Sequence, residues 1–190
     1  MVYLIVGDSM KHVMLKFKSL DRDGFTLIEL LAVIVILGIL MITAIPAVTK
    51  YINSSKKSTF ADSAGAYINA ARYSLLNDEY NCQTPAENGQ TVKIPLYQSD
   101  KTDNIDIDKG TGTSSYGKKY DAASYVFVKY EGGKLIYSIC LVDSGKNGTL
   151  TVSGNTSTCL VEEKNLGKAT ISAQGSSITD TAASEVCTKN

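Results

Sequence analysis

The longest apolar stretch of the chain runs from Phe25 to Val48 and holds one charged residue, Glu29, and one proline, Pro46. A helix of that length extends about 36 Å, because each residue adds about 1.5 Å. The hydrocarbon core of a bilayer needs about 20 apolar residues in a row. The stretch therefore predicts a transmembrane helix, and the polar sequence after about residue 80 predicts a part that faces water.

Two simpler explanations of this stretch fit less well. The apolar part of a secretory signal peptide is about 7–15 residues long and precedes a small-x-small cleavage site. Residues 25–48 are longer than that, and no clean site of that kind follows them. A plain membrane anchor does not explain Glu29, since a charged carboxylate at depth in lipid costs on the order of a few kcal/mol. No basic residue lies within the stretch, so we expect Glu29 to have a partner on another molecule.

Residues 24–29, Gly-Phe-Thr-Leu-Ile-Glu, resemble the cleavage and methylation signature of type IV prepilins and of the pseudopilins of type II secretion and competence systems. The resemblance covers residues 24–50, including Gly38 and Pro46, and fades after about residue 80. It implies the pilin fold, which is of the α+β class. In that fold a long N-terminal helix packs on a head built from an antiparallel β-sheet.

The resemblance also assigns roles to individual residues. It implies that prepilin peptidase cuts between Gly24 and Phe25, that the new amino group of Phe25 is N-methylated, and that Glu29 pairs with this amine on a neighbouring subunit. Gly24 suits a tight protease groove because it has no Cβ. The implied partners are prepilin peptidase, other pilin subunits including minor pilins, an inner-membrane assembly platform and, before assembly, membrane lipid. Such a subunit needs no cofactor and is not an enzyme.

Residues 1–24 form the expected leader, which processing removes. Positive charge before the helix favours a cytoplasmic N-terminus, so we expect a single-pass protein of the cytoplasmic membrane that later joins an extracellular filament. Initiation at Met10 or Met14 instead of Met1 gives a leader more like that of the family. The basic residues of the leader are Lys11, Lys16, Lys18 and Arg22.

The helix is expected to continue past the apolar core at 25–48 as an amphipathic half at 49–79, with a β-rich head at 80–190. Pro46 removes one backbone hydrogen bond and is expected to kink or loosen the helix. Asn77 and Asp78 are plausible terminators. Apolar residues recur at three- and four-residue spacings, which is typical of a helix with one buried face: Ile52, Phe60, Ala64, Tyr67, Ile68, Ala71 and Leu75.

The head is expected to be a β-meander. Residues 124–130 are rich in β-branched and aromatic side chains, and Gly132 and Gly133 supply the turn to a second strand at 134–142. A polar turn then precedes a third strand at 149–152. Residues 158–161 and 169–172 are candidates for further short strands.

The four cysteines, Cys82, Cys140, Cys159 and Cys187, all follow the apolar stretch. An even count in an exported chain predicts two disulfides. Four cysteines allow three pairings, and the sequence leaves the choice open. One pairing joins Cys140 to Cys159 and Cys82 to Cys187, and a bridge that holds the tail resembles the C-terminal disulfide loop of many pilins.

Asp103, Asp106 and Asp108 are the candidates for a metal ion, since some pseudopilins bind calcium in a loop of the head. The EF-hand pattern fails here, because Lys109 stands where the turn glycine belongs if Asn104 is the first position. A solvated acidic loop is the simpler interpretation, and no metal site is predicted.

Composition limits the other function classes. Nineteen basic residues balance nineteen acidic ones, so no electrostatic footprint for nucleic acid is expected. The single histidine, His12, lies in the leader, which leaves the mature chain without the base of a serine or cysteine hydrolase. The leading prediction is a type IV pilin, the first alternative is a pseudopilin, and the second is an anchored binding protein that does not polymerise.

Overall fold

The computed structural model describes residues 26–97, 103–105, 112–153, 156–178 and 184–190. The chain separates into two units between Ile45 and Pro46. One helix runs through the boundary between the two units.

The helix α1 runs from Leu27 to Leu76 over 50 residues and includes Pro46. It ends where the sequence predicts, because Asp78 adopts a positive φ of 54°, a conformation that closes helix ends. The amides of Asn77 and Glu79 still bond back to carbonyls of the last turns, at 3.0 Å each.

The second half of α1 buries one face. Phe60 and Tyr67 meet Tyr120 edge to face, with ring centroids 5.6 and 5.7 Å apart, a favourable arrangement for aromatic pairs. The sheet residues Val126 and Ile139 belong to the same core cluster. The amphipathic pattern is thereby confirmed from Phe60 onward, whereas Ile52, predicted on the same face, is exposed. The buried helix residues are Phe60, Ala61, Ala64, Tyr67, Ile68, Ala71, Ser74 and Leu75.

The described part of the head contains nine short strands. They are β1 (Thr91–Pro95), β2 (Tyr125–Glu131), β3 (Lys134–Cys140), β4 (Gly148–Thr149), β5 (Thr151–Ser153), β6 (Thr156–Thr158), β7 (Val161–Glu162), β8 (Ile171–Ser172) and β9 (Glu185–Val186). Two 3₁₀ helices, Glu163–Asn165 and Lys168–Thr170, lie between β7 and β8. The five-stranded sheet has the order β7-β3-β2-β1-β9. Helix and sheet together confirm the α+β class and the pilin-like architecture.

The central hairpin is the part of the sheet that the sequence predicts most closely. Strands β2 and β3 pair antiparallel from Tyr125–Cys140 to Glu131–Lys134. Gly132 and Gly133 have φ angles of 61° and 80°, which a two-residue turn of this hand requires and a residue with a Cβ rarely adopts.

The meander prediction is wrong beyond this hairpin. The predicted third strand divides: β4 pairs with β8, and β5 pairs with β6. The position beside β3 belongs to β7. The predicted strand divides at Thr149, which is buried. Its hydroxyl accepts a hydrogen bond from Leu141 N at 2.9 Å and donates one to Cys159 O at 2.6 Å. On the other side of β2 the sequence analysis missed β1, and β9 pairs with β1 in parallel.

Two disulfides join the cysteines of the head. Cys82 pairs with Cys187, with Cα atoms 5.2 Å apart. Cys140 pairs with Cys159, with Cα atoms 4.8 Å apart. The first bond links the segment after α1 to the last residues of the chain. The second lies in a small separate core with Tyr125.

Candidate assembly site at the start of the helix

The first turn of α1 is closed by a reciprocal pair of hydrogen bonds between Thr26 and Glu29. Thr26 donates from its backbone N and from Oγ1 to Glu29 Oε2, both at 2.9 Å. Glu29 N donates back to Thr26 Oγ1 at 3.3 Å. This is a capping box, which satisfies backbone donors that have no partner inside the helix. Glu29 also lies where its negative charge faces the positive end of the helix dipole.

The role of Thr26 escaped the sequence analysis, although a signal for it was present. Thr26-Leu27-Ile28-Glu29 is a Thr-x-x-Glu sequence directly before an apolar run, which is the pattern of a capping box. Among the described residues, Glu29 Oε1 has no hydrogen-bond partner. Both bonds from Thr26 go to Oε2, so within the described residues the capping box leaves Oε1 available.

The apolar half of α1 has no cover in the structure. Every residue from Leu27 to Ile52 is exposed, and the most apolar window has a mean hydropathy of 2.9 with none of it buried. Exposed apolar patches larger than a few hundred Å² are typical of surfaces that contact lipid or another protein. We therefore expect lipid or protein to cover this half of α1. In the described part of the chain this is one helix that is long and apolar enough to cross a membrane.

Thr43 and Pro46 interrupt the apolar half. Thr43 is satisfied within the helix, since its hydroxyl donates to Leu40 O at 2.9 Å. Pro46 lies inside α1 and has no N–H for the carbonyl of Ile42. The kink expected at Pro46 stays a prediction.

Several predicted site residues lie outside the described residues. They are Gly24 and Phe25 of the processing site, and Asp106 and Asp108 of the candidate calcium loop. Asp103 is described and is exposed. Among the described residues no group of three or more His, Cys, Asp or Glu could hold a metal ion.

The C-terminal tail is fixed to the head around one buried amide, Asn104. Its Nδ2 donates to Pro95 O at 2.9 Å and to Cys187 O at 3.2 Å. Its Oδ1 accepts from Lys189 N at 2.6 Å. The hydroxyl of Tyr80 donates to the backbone O of Asn104 at 3.2 Å, and burial raises the pKa of Tyr80 to about 12. This tail lock holds the chain end beside the Cys82–Cys187 bond, and no local pattern in the sequence predicts it.

One charged cluster ties α1 to the β3 side of the head. The Arg72 guanidinium forms an ion pair with Glu163 and lies 4.5 Å from the centroid of the Tyr137 ring, within cation–π range. The hydrogen bond that Arg72 donates to the Glu163 carboxylate raises the pKa of Arg72. Arg72 thus contacts both Glu163 and Tyr137, and we interpret this cluster as a structural contact.

The head also has a groove of about 520 Å³. Its lining is neutral apart from one lysine and holds no carboxylate, so it lacks an acid–base pair for catalysis. The lining residues are Lys57, Leu150, Thr151, Val152, Asn165, Ala169, Thr170, Ile171 and Ser172.

Residues 21–45 match the family model described as the prokaryotic N-terminal methylation motif. These residues carry the signature of type IV prepilins and pseudopilins, and they include Glu29 and most of the exposed apolar half of α1. No curated protein and no solved structure matches the chain. The resemblance stated from the sequence is confirmed at the level of this signature.

Proposed function

We propose that this chain is the precursor of a structural subunit of a type IV pilus. One observation carries the proposal: the match at residues 21–45 takes in the first part of α1, residues 27–45, where every side chain is exposed and where the first turn holds Glu29. Lipid covers this apolar surface before assembly. In a filament, the packed helices of neighbouring subunits cover it instead.

Processing makes the helix competent for assembly. Prepilin peptidase cuts between Gly24 and Phe25, and a methyl group is added to the new amine of Phe25. The cut leaves this amine one residue before Thr26, close to the capping box. Methylation keeps the amine positively charged, so it remains a partner for a carboxylate.

Assembly then pairs the Phe25 amine of one subunit with Glu29 of the next. Two unit charges about 4 Å apart attract by about 4 kcal/mol at an effective dielectric of 20, and desolvation offsets part of this gain. Pairing neutralises two charges that are costly in an apolar bundle and fixes the axial position of one helix against its neighbour. The second carboxylate oxygen of Glu29, Oε1, supports this role, because the capping box occupies only Oε2.

Before assembly the subunit is a single-pass protein of the cytoplasmic membrane, with its N-terminus inside and its head outside. The two disulfides support an exported head, since such bonds persist in oxidising compartments. Its partners are prepilin peptidase, the inner-membrane assembly platform, and other pilin subunits, including minor ones. Its role is structural and not enzymatic.

Mass spectrometry on the host organism tests the proposal. Intact and N-terminal peptide masses are measured in the membrane fraction and in fibres sheared from the cell surface. A chain that begins at N-methylated Phe25 and retains two disulfides is expected in the sheared fibres. The same processed chain found in membranes alone would instead indicate a pseudopilin of a secretion or competence system. An uncut chain in a host with active prepilin peptidase would overturn both assignments and leave an anchored binding protein.

A further inference from the structure

Lysines are concentrated on one part of the head surface. Four segments meet there, at residues 50–57, 112–119, 144–152 and 165–178, and none of them contains an acidic residue, although the chain has nineteen. Besides Lys50 they contain six lysines, which we call the basal lysine cluster: Lys56, Lys57, Lys118, Lys119, Lys146 and Lys168.

Direct contacts bring these segments together. Ser115 donates from Oγ to Lys56 O at 2.7 Å, and the Lys56 ammonium lies 5.7 Å from the Tyr116 ring centroid. Ser144 N donates to Lys119 O at 2.9 Å, which joins the second segment to the third.

The fourth segment, residues 165–178, contacts both the first and the third. Gly175 N donates to Lys146 O at 3.0 Å. Lys57 shares the head groove with Asn165 and with Ala169, the residue after Lys168. The six lysines therefore belong to one continuous surface.

The charge of this surface is not balanced inside the described part of the chain. None of the six lysines forms an ion pair there, whereas Lys129, Lys164 and Lys189 each do. The carboxylate of Asp143 lies beside the cluster but is 1% exposed, and it accepts hydrogen bonds from Ser114 Oγ at 2.6 Å and Asn147 N at 2.9 Å. Unpaired like charges on one part of a head surface repel one another, so an anionic partner is expected.

The position of the cluster along α1 identifies that partner. Lys56 lies eight residues after Val48, the end of the apolar stretch, which is about 12 Å along a helix. The headgroup layer occupies about 5–8 Å on each side of the hydrocarbon core, and charges interact across a Debye length of about 8 Å. A lysine side chain also reaches its ammonium toward headgroups. Lys56 and Lys57 are therefore within reach of the headgroups when the apolar stretch up to Val48 lies in the bilayer, and the other lysines belong to the same surface.

We propose that the basal lysine cluster docks the head on anionic lipid headgroups of the leaflet from which α1 emerges. This proposal rests on the membrane anchoring in the proposed function. Docking holds the unassembled subunit at the membrane surface, and the contact is lost when the subunit enters a filament. Because it is electrostatic, it weakens with salt.

Lysine acetylation footprinting tests the proposal on the full chain in vesicles. The acetylation rate of each lysine is measured by mass spectrometry in purely zwitterionic vesicles and in vesicles with about a quarter of anionic phospholipid, a content that attracts basic segments. We expect anionic lipid to slow acetylation of the basal lysine cluster at least about threefold, and high salt to restore the rate. Lys129 and Lys134 of the β2–β3 hairpin should react equally in both vesicles.

Two matched variants separate docking from a general charge effect. Lys118→Gln/Lys119→Gln/Lys168→Gln removes three charges from the cluster, and Lys129→Gln/Lys134→Gln/Lys164→Gln removes three from elsewhere. The first variant should lose the protection of Lys56, Lys57 and Lys146, and the second should keep it.

Three results would overturn the proposal. One is equal acetylation of the cluster in both vesicles, and another is equal loss of protection in both variants. Protection by free inorganic phosphate in zwitterionic vesicles would instead assign the cluster to soluble phosphate. Carbonate extraction is run in parallel, since a chain released from vesicles by carbonate is not membrane-spanning, and that failure belongs to the proposed function.

Discussion

Thr26 and Glu29 hold each other at the start of α1, with Thr26 N and Oγ1 both 2.9 Å from Glu29 Oε2. The carboxylate that is proposed to bind a neighbouring subunit therefore also caps its own helix. Loss of Glu29 removes two functions at once, the cap and the intermolecular ion pair. Comparing substitutions at this position separates them.

Glu29→Gln should block filament assembly as strongly as Glu29→Ala. The glutamine amide oxygen can still accept the bonds from Thr26, but it has no charge for the Phe25 amine. We expect each variant to lower the amount of subunit in sheared fibres about tenfold or more, since a net loss of about 1.4 kcal/mol is one factor of ten. Membrane levels should stay normal. Normal assembly of Glu29→Gln would show that the cap alone is needed.

Thr26→Ala should loosen the first turn of α1 while Thr26→Ser leaves it intact. The alanine side chain cannot cap, and losing an N-cap costs about 1 kcal/mol. Amide hydrogen exchange over residues 27–30 in detergent micelles should accelerate about fivefold in the alanine variant. The serine variant, which keeps the hydroxyl, is the control. Equal exchange in both variants would mean that the capping box is not populated in solution.

Local signals explain what the sequence could predict of this fold. The second half of α1 shows a 3.6-residue period and ends at Leu76, just before Asn77 and Asp78. The β2–β3 hairpin shows strand residues around Gly132 and Gly133. These features depend on neighbours a few residues apart. The signature around Glu29 is local as well, which is why the candidate assembly site could be found without a structure.

The missed strands depend on contacts between distant parts of the chain. Strand β9 has two residues, and its place beside β1 is set by the Cys82–Cys187 bond and by Asn104. A two-residue segment is too short to carry a sequence pattern that predicts such a pairing. Strand β1 did carry a signal, since Val92 and Ile94 alternate with less buried neighbours.

The two disulfides should contribute unequally to stability. Cys82 and Cys187 are 105 residues apart, and Cys140 and Cys159 are 19 apart. In the chain-entropy model a loop of about 100 residues is worth about 4.7 kcal/mol and one near 15–20 about 3 kcal/mol. Replacing Cys82 and Cys187 with serine should therefore lower the free energy of unfolding by more than replacing the other pair. Chemical denaturation of both double variants measures the difference, and the reverse order would contradict the loop-length argument.

The tail lock predicts a strong dependence on Asn104. Asn104→Ala leaves Lys189 N, Cys187 O and Pro95 O without their partner in a buried site, and each unsatisfied buried group costs about 1–3 kcal/mol. We expect a loss of at least about 2 kcal/mol on that basis and faster carboxypeptidase digestion of the last residues.

Asn81→Ala is the matched control for the tail lock. Asn81 Oδ1 also bonds the tail, at 2.8 Å from Thr188 N, but this contact is exposed. Water can replace the lost bond there, so the cost should stay below about 1 kcal/mol. Equal losses for the two variants would show that burial of Asn104 does not set the strength of the tail lock.

Tyr80 should make the head less stable in strong alkali. Its pKa rises from the ordinary value of a tyrosine, 10.0, to about 12 because burial disfavours the phenolate. The folded state therefore holds the proton more tightly than the unfolded state, and the stabilisation is complete below pH 10. It is lost as the pH rises from about 10 to about 12, by up to about 1.4 kcal/mol per pH unit for one group. The free energy of unfolding of wild type and Tyr80→Phe, measured across this range, should fall less steeply in the variant, and parallel curves would show that Tyr80 does not titrate as its burial implies.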